Sequence, residues 1–282
     1  MTGALAVVLA LLAGATLAWG WFEAGWLRTR VLDVEIAGLP PSLDGLRLAH
    51  LSDFHLGPPS RGSVAVRRAV DWVAAREPDL VCVTGDLVSH PRGEQRLRDL
   101  LGRLGRAYVV LGNHDVAVTR DPFSRNAELA DLAELAVLLR DEAVTVELAG
   151  TAVQLIGVDA VSYPRGEARP WAIADPDAAL RVLLCHFPGI ARRAPARAFD
   201  LVLSGHLHGG QICLPLPGGR RITLAHPRAA YVSGLYETPA GPMHVSPGLG
   251  TTFVPFRFFA RPEATELVLR SARVHEAPRS RE

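Results

Sequence analysis

Five short motifs in this sequence combine aspartate, histidine and asparagine, and each of them follows an apolar run. Their side chains offer carboxylate, imidazole and amide oxygen donors without a thiolate, a set that suits manganese, iron or zinc. Seven candidate ligands are too many for one tetrahedral ion and about right for two ions that share a carboxylate. The pattern therefore predicts a binuclear metal site. The motifs are Asp53-Phe54-His55, Gly85-Asp86, Gly112-Asn113-His114-Asp115, Cys185-His186 and Gly205-His206-Leu207-His208.

Taken singly, each motif has a simpler explanation. A lone Asp-x-His or Gly-Asp pair is usually a turn, and a lone histidine in a strand is usually a hydrogen-bonded core residue. The order of the five motifs, and the position of each at the end of an apolar run, are what indicate a shared site.

The apolar runs before the motifs are predicted to be strands, and this would bring the motifs together. In sheets of alternating strands and helices, ligands bind beyond the carboxyl ends of the strands. Extended backbone places residues i and i+2 on one face, so Asp53 should pair with His55, and His206 with His208. Glycine stands directly before three of the motif residues, where it would let the backbone turn sharply beneath the ions.

The rest of the chain alternates predicted strands with predicted helices and contains no internal repeat. Apolar periodicity predicts helices at 63–76, 95–105 and 126–140, and a Pro- and Gly-rich turn is predicted at 215–219. This alternation predicts a layered α/β or α+β domain of about 240 residues. The predicted strands are 46–52, 79–84, 107–111, 144–148, 153–158, 181–185, 201–204, 243–246 and 264–269.

The N-terminus has the composition of a membrane anchor. Residues 4–22 are largely apolar, and as a helix these nineteen residues would rise about 28 Å, close to the thickness of a hydrocarbon core. Trp19, Trp21 and Trp26 lie at its C-terminal end, where aromatic rings favour the membrane interface. Because no basic stretch precedes the run, an anchor is favoured over a cleaved signal peptide. Arg28 and Arg30 after the run favour placing the bulk of the protein on the cytoplasmic side of the inner (plasma) membrane, with the external side as the alternative.

The composition excludes several classes of protein. The chain has 282 residues, 49% of them hydrophobic, which is enough for a buried core and unlike a disordered or collagen-like chain. A balance of 30 basic against 29 acidic side chains argues against nucleic-acid binding, which needs a basic surface. The three cysteines, Cys82, Cys185 and Cys213, are too widely spaced for a CxxC zinc site and too few for a disulfide framework.

The ordered set of motifs resembles the calcineurin-like metallophosphoesterases over residues 34–270. The GHLHGGQ segment at 205–211 is similar to a branch of that family whose motif reads Gly-His-Thr-His-Gly-Gly-Gln. Members of that branch often carry an N-terminal membrane segment or export signal. Its C-terminal signature is matched at 248–251, 255–257 and 261–263.

The resemblance implies a four-layer α/β/β/α sandwich behind an N-terminal transmembrane helix. It implies an anchor at 1–30, a linker and first strand at 31–45, a catalytic domain at 46–270 and a tail at 271–282. It also implies two divalent ions, with manganese preferred over iron or zinc. The implied ligands are Asp53, His55 and His208 for the first ion and Asn113, His186 and His206 for the second, with Asp86 shared by both.

The same resemblance gives His114 and Asp115 a catalytic role. His114 would act on the substrate phosphate as general acid or as a transition-state hydrogen-bond donor, and Asp115 would orient it. Two divalent ions about 3.5 to 4 Å apart can clamp a phosphoryl oxygen and activate a water.

Two positions depart from the branch. Leu207 replaces a threonine and, at an i+1 position, should point away from the ions. Ser246-Pro247 replaces Asn-Arg, which removes an arginine that could bind phosphate and leaves the substrate class of the branch open. Arg165, Arg169 and Arg257 are other candidates for that role, with solvated surface arginines as the alternative. His50 is expected to be structural, His90 could line the site, and Cys185 should face the core.

The implied activity is hydrolysis of a phosphoester or pyrophosphate bond, for which the lead hypothesis is a lipid- or nucleotide-linked substrate of the UDP-2,3-diacylglucosamine type. The phenylalanines at 253, 256, 258 and 259 could form an acyl-binding or membrane-resting lip, or pack under the C-terminal strand. The alternatives are a broad-range phosphodiesterase or phosphomonoesterase for soluble substrates and a catalytically silent membrane scaffold. The oligomeric state stays open.

Overall fold

The structure is a computed structural model that describes residues 2–127, 129, 132–219 and 221–272. Most of the predicted C-terminal tail, residues 273–282, lies outside the described residues. The α-helices are α1 (Thr2–Glu23), α2 (Gly62–Arg76), α3 (Glu94–Leu101), α4 (Leu132–Leu135) and α5 (Ser162–Arg165). The strands are β1 (Arg28–Ile36), β2 (Arg47–Leu51), β3 (Leu80–Thr84), β4 (Ala107–Val110), β5 (Val137–Leu138), β6 (Ala143–Leu148), β7 (Thr151–Gly157), β8 (Leu180–Leu184), β9 (Leu201–Ser204), β10 (Cys213–Pro215), β11 (Arg221–Thr223), β12 (Gly234–Thr238), β13 (Gly241–Val245) and β14 (Glu263–Ser271).

Two six-stranded mixed sheets pack face to face. The first has the order β1-β14-β2-β3-β4-β5 and the second β12-β13-β9-β8-β7-β6. A core that includes Leu48, Cys82, Val182 and Leu203 fills the space between them. Helices α2 and α3 cover the outer face of the first sheet, and short helices such as Pro188–Arg192 cover that of the second. The predicted α/β sandwich fold is therefore confirmed.

The central strand β3 and the helix α2 show why the pattern specifies this fold. All five residues of β3 are buried, as in a strand that is covered on both faces. Val81 and Val83 face α2, whereas Cys82 faces the second sheet. The buried stripe of α2 includes Val66, Val70 and Val73, and the helix ends at a left-handed residue before Pro78.

The predicted helix at 126–140 is wrong. The structure has the single turn α4 and then the short strand β5, while residues 126, 127 and 129 are not helical and 128, 130 and 131 lie outside the described residues. β5 pairs in parallel with β4, and Leu139 N donates to Val109 O at 2.9 Å. The free edge of β4 offers backbone hydrogen bonds that the amphipathic pattern cannot reveal, because short helices and edge strands bury similar apolar residues.

The parallel strands carry the five motifs to one end of the sandwich. β2, β3 and β4 run parallel in the first sheet, and β8 and β9 run parallel in the second. Each motif begins at or just beyond the carboxyl end of one of these strands. Four residues separate Glu23, which ends α1, from Arg28, which begins β1, and β1 pairs in parallel with β14 at the edge of the first sheet. The boundaries predicted at residues 30, 45 and 270 stay predictions.

Candidate metal centre

The loops that follow the five strands bring the seven predicted ligands together. These ligands form two groups, and within each group the candidate ligand atoms lie within 4.8 Å of one another. Asp86 belongs to both groups, and Asn113 joins the second, with its Oδ1 atom 3.2 Å from His186 Nε2. The first group consists of Asp53, His55, Asp86 and His208, and the second of Asp86, His186 and His206.

One oxygen of Asp86 lies between the two groups. Its Oδ2 atom is 3.4 Å from His55 Nε2 and 3.3 Å from His186 Nε2. The other oxygen, Oδ1, accepts a hydrogen bond of 2.8 Å from the backbone N–H of His114. The carboxylate is thus held by the backbone on one side and directed at both groups on the other.

The donor set fits cations. His55 Nε2 lies 3.0 Å from His208 Nε2, and His206 Nδ1 lies 3.1 Å from His186 Nε2. Asp53 Oδ1 is 3.5 Å from His208 Nε2. Lone pairs that face each other at such distances repel unless a proton or a metal ion lies between them. Imidazole nitrogens and carboxylate oxygens, arranged as two groups around a shared Asp86, are suited to a pair of divalent ions.

Polar groups behind the histidines fix their orientation. His186 Nδ1 donates to the carbonyl of Thr84 at 2.7 Å, which leaves Nε2 free to face Asp86. His55 Nδ1 lies 2.7 Å from Ser89 Oγ. Such contacts set the tautomer of a metal-binding histidine. Ser89 and Thr84 were not found from the sequence, where the only signal is that they stand within three residues of Asp86.

Five of the seven predicted ligands have backbone angles in the left-handed region. The φ values are 54° for Asp53, 45° for His55, 54° for Asp86, 77° for His206 and 51° for His208. The expectation that extended backbone pairs residues i and i+2 is therefore wrong: Asp53 and His55 share the first group, whereas His208 belongs to the first group and His206 to the second. Non-glycine residues in this region are costly and concentrate at functional sites.

Glycine is required at the motifs by close approach. A Cβ atom at Gly112 would meet Asp86 Oδ1, and one at Gly205 would meet Ser52 Oγ and Asp53 Oδ2. Of the three glycines that directly precede a predicted ligand, Gly85 is the one with a positive φ, at 83°. The glycines therefore make room for the carboxylates rather than only turning the chain.

His114 lies on the cleft, but Asp115 does not orient it. His114 Nδ1 is 3.2 Å from Ser89 Oγ, and its Nε2 is 3.1 Å from Thr119 Oγ1. Asp115 Oδ1 accepts from two backbone N–H groups, those of residues 87 and 88, and Oδ2 accepts from Gly112 N. Within the described residues, Asp115 bonds to the backbone and not to the His114 ring. Its role is to join the loops after β3 and β4.

Burial keeps three of the histidines neutral. It lowers the pKa of His206 to about 3. Burial, above all, also holds the pKa values of His55 and His208 well below the usual range. Neutral imidazole is the form that binds a metal.

Asp86 and His186 form the charged pair of the centre. Burial opposes both charges, but the attraction and hydrogen bond between them hold the pKa of Asp86 well below its usual range. In the same way, burial is outweighed by Asp86, which raises the pKa of His186 to about 9. An incoming cation must therefore displace a proton from His186.

A cleft of about 1010 Å³ opens over the centre. Asp86, Asn113, His114, His206 and His208 line its floor. Its other walls are largely apolar and include Val118, Leu207, Ile212, Leu224, Phe253 and Val254. Leu207 lines the cleft because its backbone is not extended (φ −95°, ψ 0°), so the expected alternation does not apply.

Arg257 was expected either to bind phosphate or to lie on the solvated surface, and the structure contradicts both expectations. Its side chain is fully buried, and its guanidinium donates to the carbonyls of Gly250, Pro247, Ala260 and His208 at 2.6 to 3.2 Å. It therefore supports the loop under the first ligand group and is neither a phosphate ligand nor a solvated surface residue.

The other residues singled out in the sequence lie apart from the cleft lining. Arg169 donates to the carbonyls of residues 166 and 168. His90 accepts from Arg92 N at 3.2 Å. His50 is buried and lies 2.7 Å from His244 between the sheets. Cys185 is buried in the core, as predicted.

The chain is similar to known proteins over most of its length. The family model of the calcineurin-like phosphoesterases matches residues 46–210. The chain belongs to this family. It is 28% identical over 275 residues to YkuE, an uncharacterized metallophosphoesterase of Bacillus subtilis, covering 93% of this chain and 94% of that one. YkoQ of the same organism is 29% identical over 80% of this chain and 84% of its own length.

A vertebrate relative is similar over nearly the whole chain. The zebrafish transmembrane protein with metallophosphoesterase domain is 34% identical over 94% of this chain, which spans 63% of that protein. The likeness to YkuE and to the zebrafish protein extends over more than nine tenths of the chain.

Proposed function

We propose that this protein is a two-metal phosphoesterase. The observation that carries the proposal is the Asp86 oxygen placed 3.4 Å and 3.3 Å from one histidine of each ligand group. The family membership supports hydrolysis of a phosphoester, and the donor set supports a divalent metal centre.

We propose the division of the seven ligands that the resemblance implies. Asp53, His55 and His208 would hold one ion, and Asn113, His186 and His206 the other, with Asp86 between them. Manganese is the proposed metal, because oxygen donors and imidazoles are mixed in both groups. When bound, the ions supply Lewis-acid stabilisation of the phosphoryl oxygens and a nucleophile at neutral pH.

His114 is the proposed catalytic residue of the chain itself. It lines the cleft beside Asp86 and Asn113. Burial lowers the pKa of His114, and nearby cations would lower it further. A neutral ring at pH 7 donates a hydrogen bond but is a weak source of protons, so the role of hydrogen-bond donor to the transition state is favoured over that of general acid.

The apolar walls of the cleft support an amphiphilic substrate. Val118, Leu224, Phe253 and Val254 are apolar residues in the lining of the cleft. A phosphate held at the centre would leave an acyl or other apolar part of the substrate against these side chains. A lipid- or nucleotide-linked substrate of the UDP-2,3-diacylglucosamine type is consistent with this division; a broad-range diesterase is the second candidate, since the cleft is wide enough for many leaving groups.

The proposed location is the inner (plasma) membrane, with one span and a cytoplasmic catalytic domain. Helix α1 is long and apolar enough to cross a bilayer, with a mean hydropathy of 2.0 over Gly3–Glu23. The name of the zebrafish relative, a transmembrane protein, supports the span. Arg28 and Arg30 support the orientation.

The test uses the full chain in detergent, reconstituted with manganese. Hydrolysis of UDP-2,3-diacylglucosamine and of bis-p-nitrophenyl phosphate is compared with that of the Asp86→Ala variant. Cleavage of the lipid nucleotide would support the lipid-linked class, and cleavage of the diester alone would support the broad-range enzyme. If neither rate exceeds that of Asp86→Ala while two ions bind per chain, the proposal is wrong.

A further inference from the structure

The C-terminal turn of α1 is fastened to the loop that borders the cleft. Arg257 N donates to Gly20 O at 3.0 Å, and Ala260 N donates to the Glu23 carboxylate at 2.8 Å. The Phe258 ring fills the space that a side chain at Gly20 would take. Residues 256–260 therefore lie beside residues 20–23 at a fixed height along the helix.

This height is the membrane interface if α1 spans the bilayer. A helix of 22 residues is about 33 Å long, so its last turn lies where the hydrocarbon core ends. The rings of Trp19, Phe22 and Trp26 contact one another there, and Trp21 lies 6.4 Å from Phe256. The loop that contacts this turn must occupy the same depth.

Exposed apolar side chains surround this contact on two elements. On the loop, Phe253 and Phe259 are 51% and 49% exposed, and Val254 is also exposed. The β10–β11 hairpin joins the loop through Cys213 N, which donates to Phe258 O at 2.9 Å. We call the six exposed apolar residues of both elements the collar: Leu214, Ile222, Leu224, Phe253, Val254 and Phe259.

We propose that the collar rests in the surface of the lipid bilayer, so that the cleft opens at the membrane. Leu224, Phe253 and Val254 belong to the collar and also line the cleft. Exposed apolar side chains therefore lie both on the loop that contacts α1 and in the cleft lining, and a lipid surface would cover such side chains without a further partner.

Charged residues at the edge of the collar fit the same partner. A groove between α1 and the hairpin is lined by Trp19, Trp26, Arg221 and Arg261. The guanidinium of Arg261 lies 3.8 Å from the centre of the Trp26 ring. Aromatic rings with arginines beside them are typical of the headgroup region, where the phosphates of anionic lipids attract cations.

The proposed contact between the collar and the bilayer does not depend on the phosphoesterase activity. It does determine how a substrate arrives: an amphiphile could enter sideways from the bilayer, with its phosphate at the metal centre. That consequence alone rests on the proposed function.

The test measures the depth of the collar with a fluorescent label. Phe253→Cys and Leu224→Cys are labelled with an environment-sensitive nitrobenzoxadiazole dye, since the native Cys82, Cys185 and Cys213 are buried. The matched control is Ile173→Cys, an exposed residue whose carbonyl accepts from Gln154 on β7. The full chains are reconstituted into phosphatidylcholine–phosphatidylglycerol vesicles with or without doxyl-labelled lipid.

The collar labels should be quenched about threefold more than the label at Ile173, because interfacial groups reach the acyl boundary. Equal quenching at all three positions, in protein that floats with the vesicles, would overturn the proposal. The proposal would also be overturned if the collar labels were shielded from water only at a high protein-to-lipid ratio, because this dependence would indicate contact with a second copy of the chain. No turnover is needed, so a failed activity assay and a failed collar are separate results.

Discussion

Among single residues, the geometry of the candidate metal centre depends on close approaches between the backbone and the carboxylate of Asp86. Asp86 Oδ1 is held by His114 N, and Gly112 leaves the space that this arrangement needs. The ligands are therefore positioned by their neighbours in other loops, and several adopt backbone angles that they would avoid alone.

Gly112→Ala should abolish most of the activity without unfolding the protein. The new Cβ would overlap Asp86 Oδ1 and the backbone at residue 86, so the shared carboxylate must move. We expect a loss of kcat on the order of a hundredfold or more, because misplaced catalytic groups cost that much. Gly102→Ala, where a Cβ makes only ordinary contacts, is the control and should keep wild-type activity.

His114→Ala should keep its metal and lose turnover. His114 lines the cleft and is not one of the seven predicted ligands, so two ions per chain should still bind. A hydrogen-bond donor positioned for the transition state contributes on the order of a hundred- to a thousandfold. Metal analysis and steady-state kinetics on the same preparation check this, and full activity of the variant would remove His114 from the mechanism.

At the scale of elements, two contacts tie distant segments to the catalytic domain. The last turn of α1 packs on the loop at 256–260 through Gly20 and Glu23. Glu266 on β14 is buried and accepts from Arg76 at the end of α2 and from Arg47 on β2. Each contact is testable with a matched variant.

Gly20→Leu should loosen α1 from the domain, whereas Gly14→Leu should not. A Cβ at Gly20 would lie inside the Phe258 ring contact, but one at Gly14 would have open space. Both variants gain helix propensity of up to about 1 kcal/mol, so any difference between them reports the contact. We expect faster proteolysis near residues 24–27 in detergent for Gly20→Leu alone; equal rates would show that the contact does not hold the helix.

Glu266→Gln should lose stability at neutral pH and lose less in acid. The hydrogen bonds from Arg76, above all, lower the pKa of Glu266 to about 2 from 4.5. A lowered carboxyl pKa adds stability above about pH 4.5 and loses it as the pH falls towards 2. We expect Glu266→Gln to cost about 2 kcal/mol at pH 7 in urea denaturation, with a smaller difference from wild type at pH 3.

The control for that measurement is Asp71→Asn. Asp71 pairs with Arg103 on the surface, where both side chains are about half exposed. Exposed pairs contribute little, so its stability should equal that of the wild type within about 0.5 kcal/mol. If Glu266→Gln lowers the free energy of unfolding equally at pH 7 and pH 3, packing and not the charge of Glu266 supports β14.

At the scale of the whole molecule, the metal centre joins the two sheets. The first ligand group takes Asp53, His55 and Asp86 from the first sheet and His208 from the second. The second group likewise combines Asp86 with His186 from the loop after β8. Bound ions would therefore connect the two halves of the sandwich.

Metal should raise the melting temperature, and more so at higher pH. Binding to the folded state alone stabilises by about 2.7 kcal/mol at a hundred times Kd. With Asp86 beside it, ion-free His186 has a pKa raised to about 9. Protons therefore compete with metal below pH 9, and the gain in stability should grow from pH 6 to pH 8.5.

Calorimetry of manganese binding in buffers of different ionisation enthalpy checks the proton count. At pH 7 the wild type should release about one proton from the His186 site. His186→Asn should abolish this release, while His90→Asn, which alters a histidine outside the cleft lining, should retain it. Equal proton release in wild type and His186→Asn would contradict the assignment.

The alternation of strands and helices and the five motifs at strand ends can be predicted from local sequence patterns. Buried strands such as β3 and the stripe of α2 are local patterns, because side-chain spacing along one segment specifies which face is buried. The motif residues were found for the same reason: each lies directly after its strand.

Features that depend on residues far apart in the chain could not be predicted in this way. The edge of β4 turned a predicted helix into β5, Asp115 bonded to backbone instead of His114, and Arg257 entered the interior to support His208. The position of the collar along α1 also depends on a contact between distant residues, that of Ala260 with Glu23. Local periodicity cannot show these contacts, because hydrogen-bond partners far apart in the chain meet only once the sheets have formed.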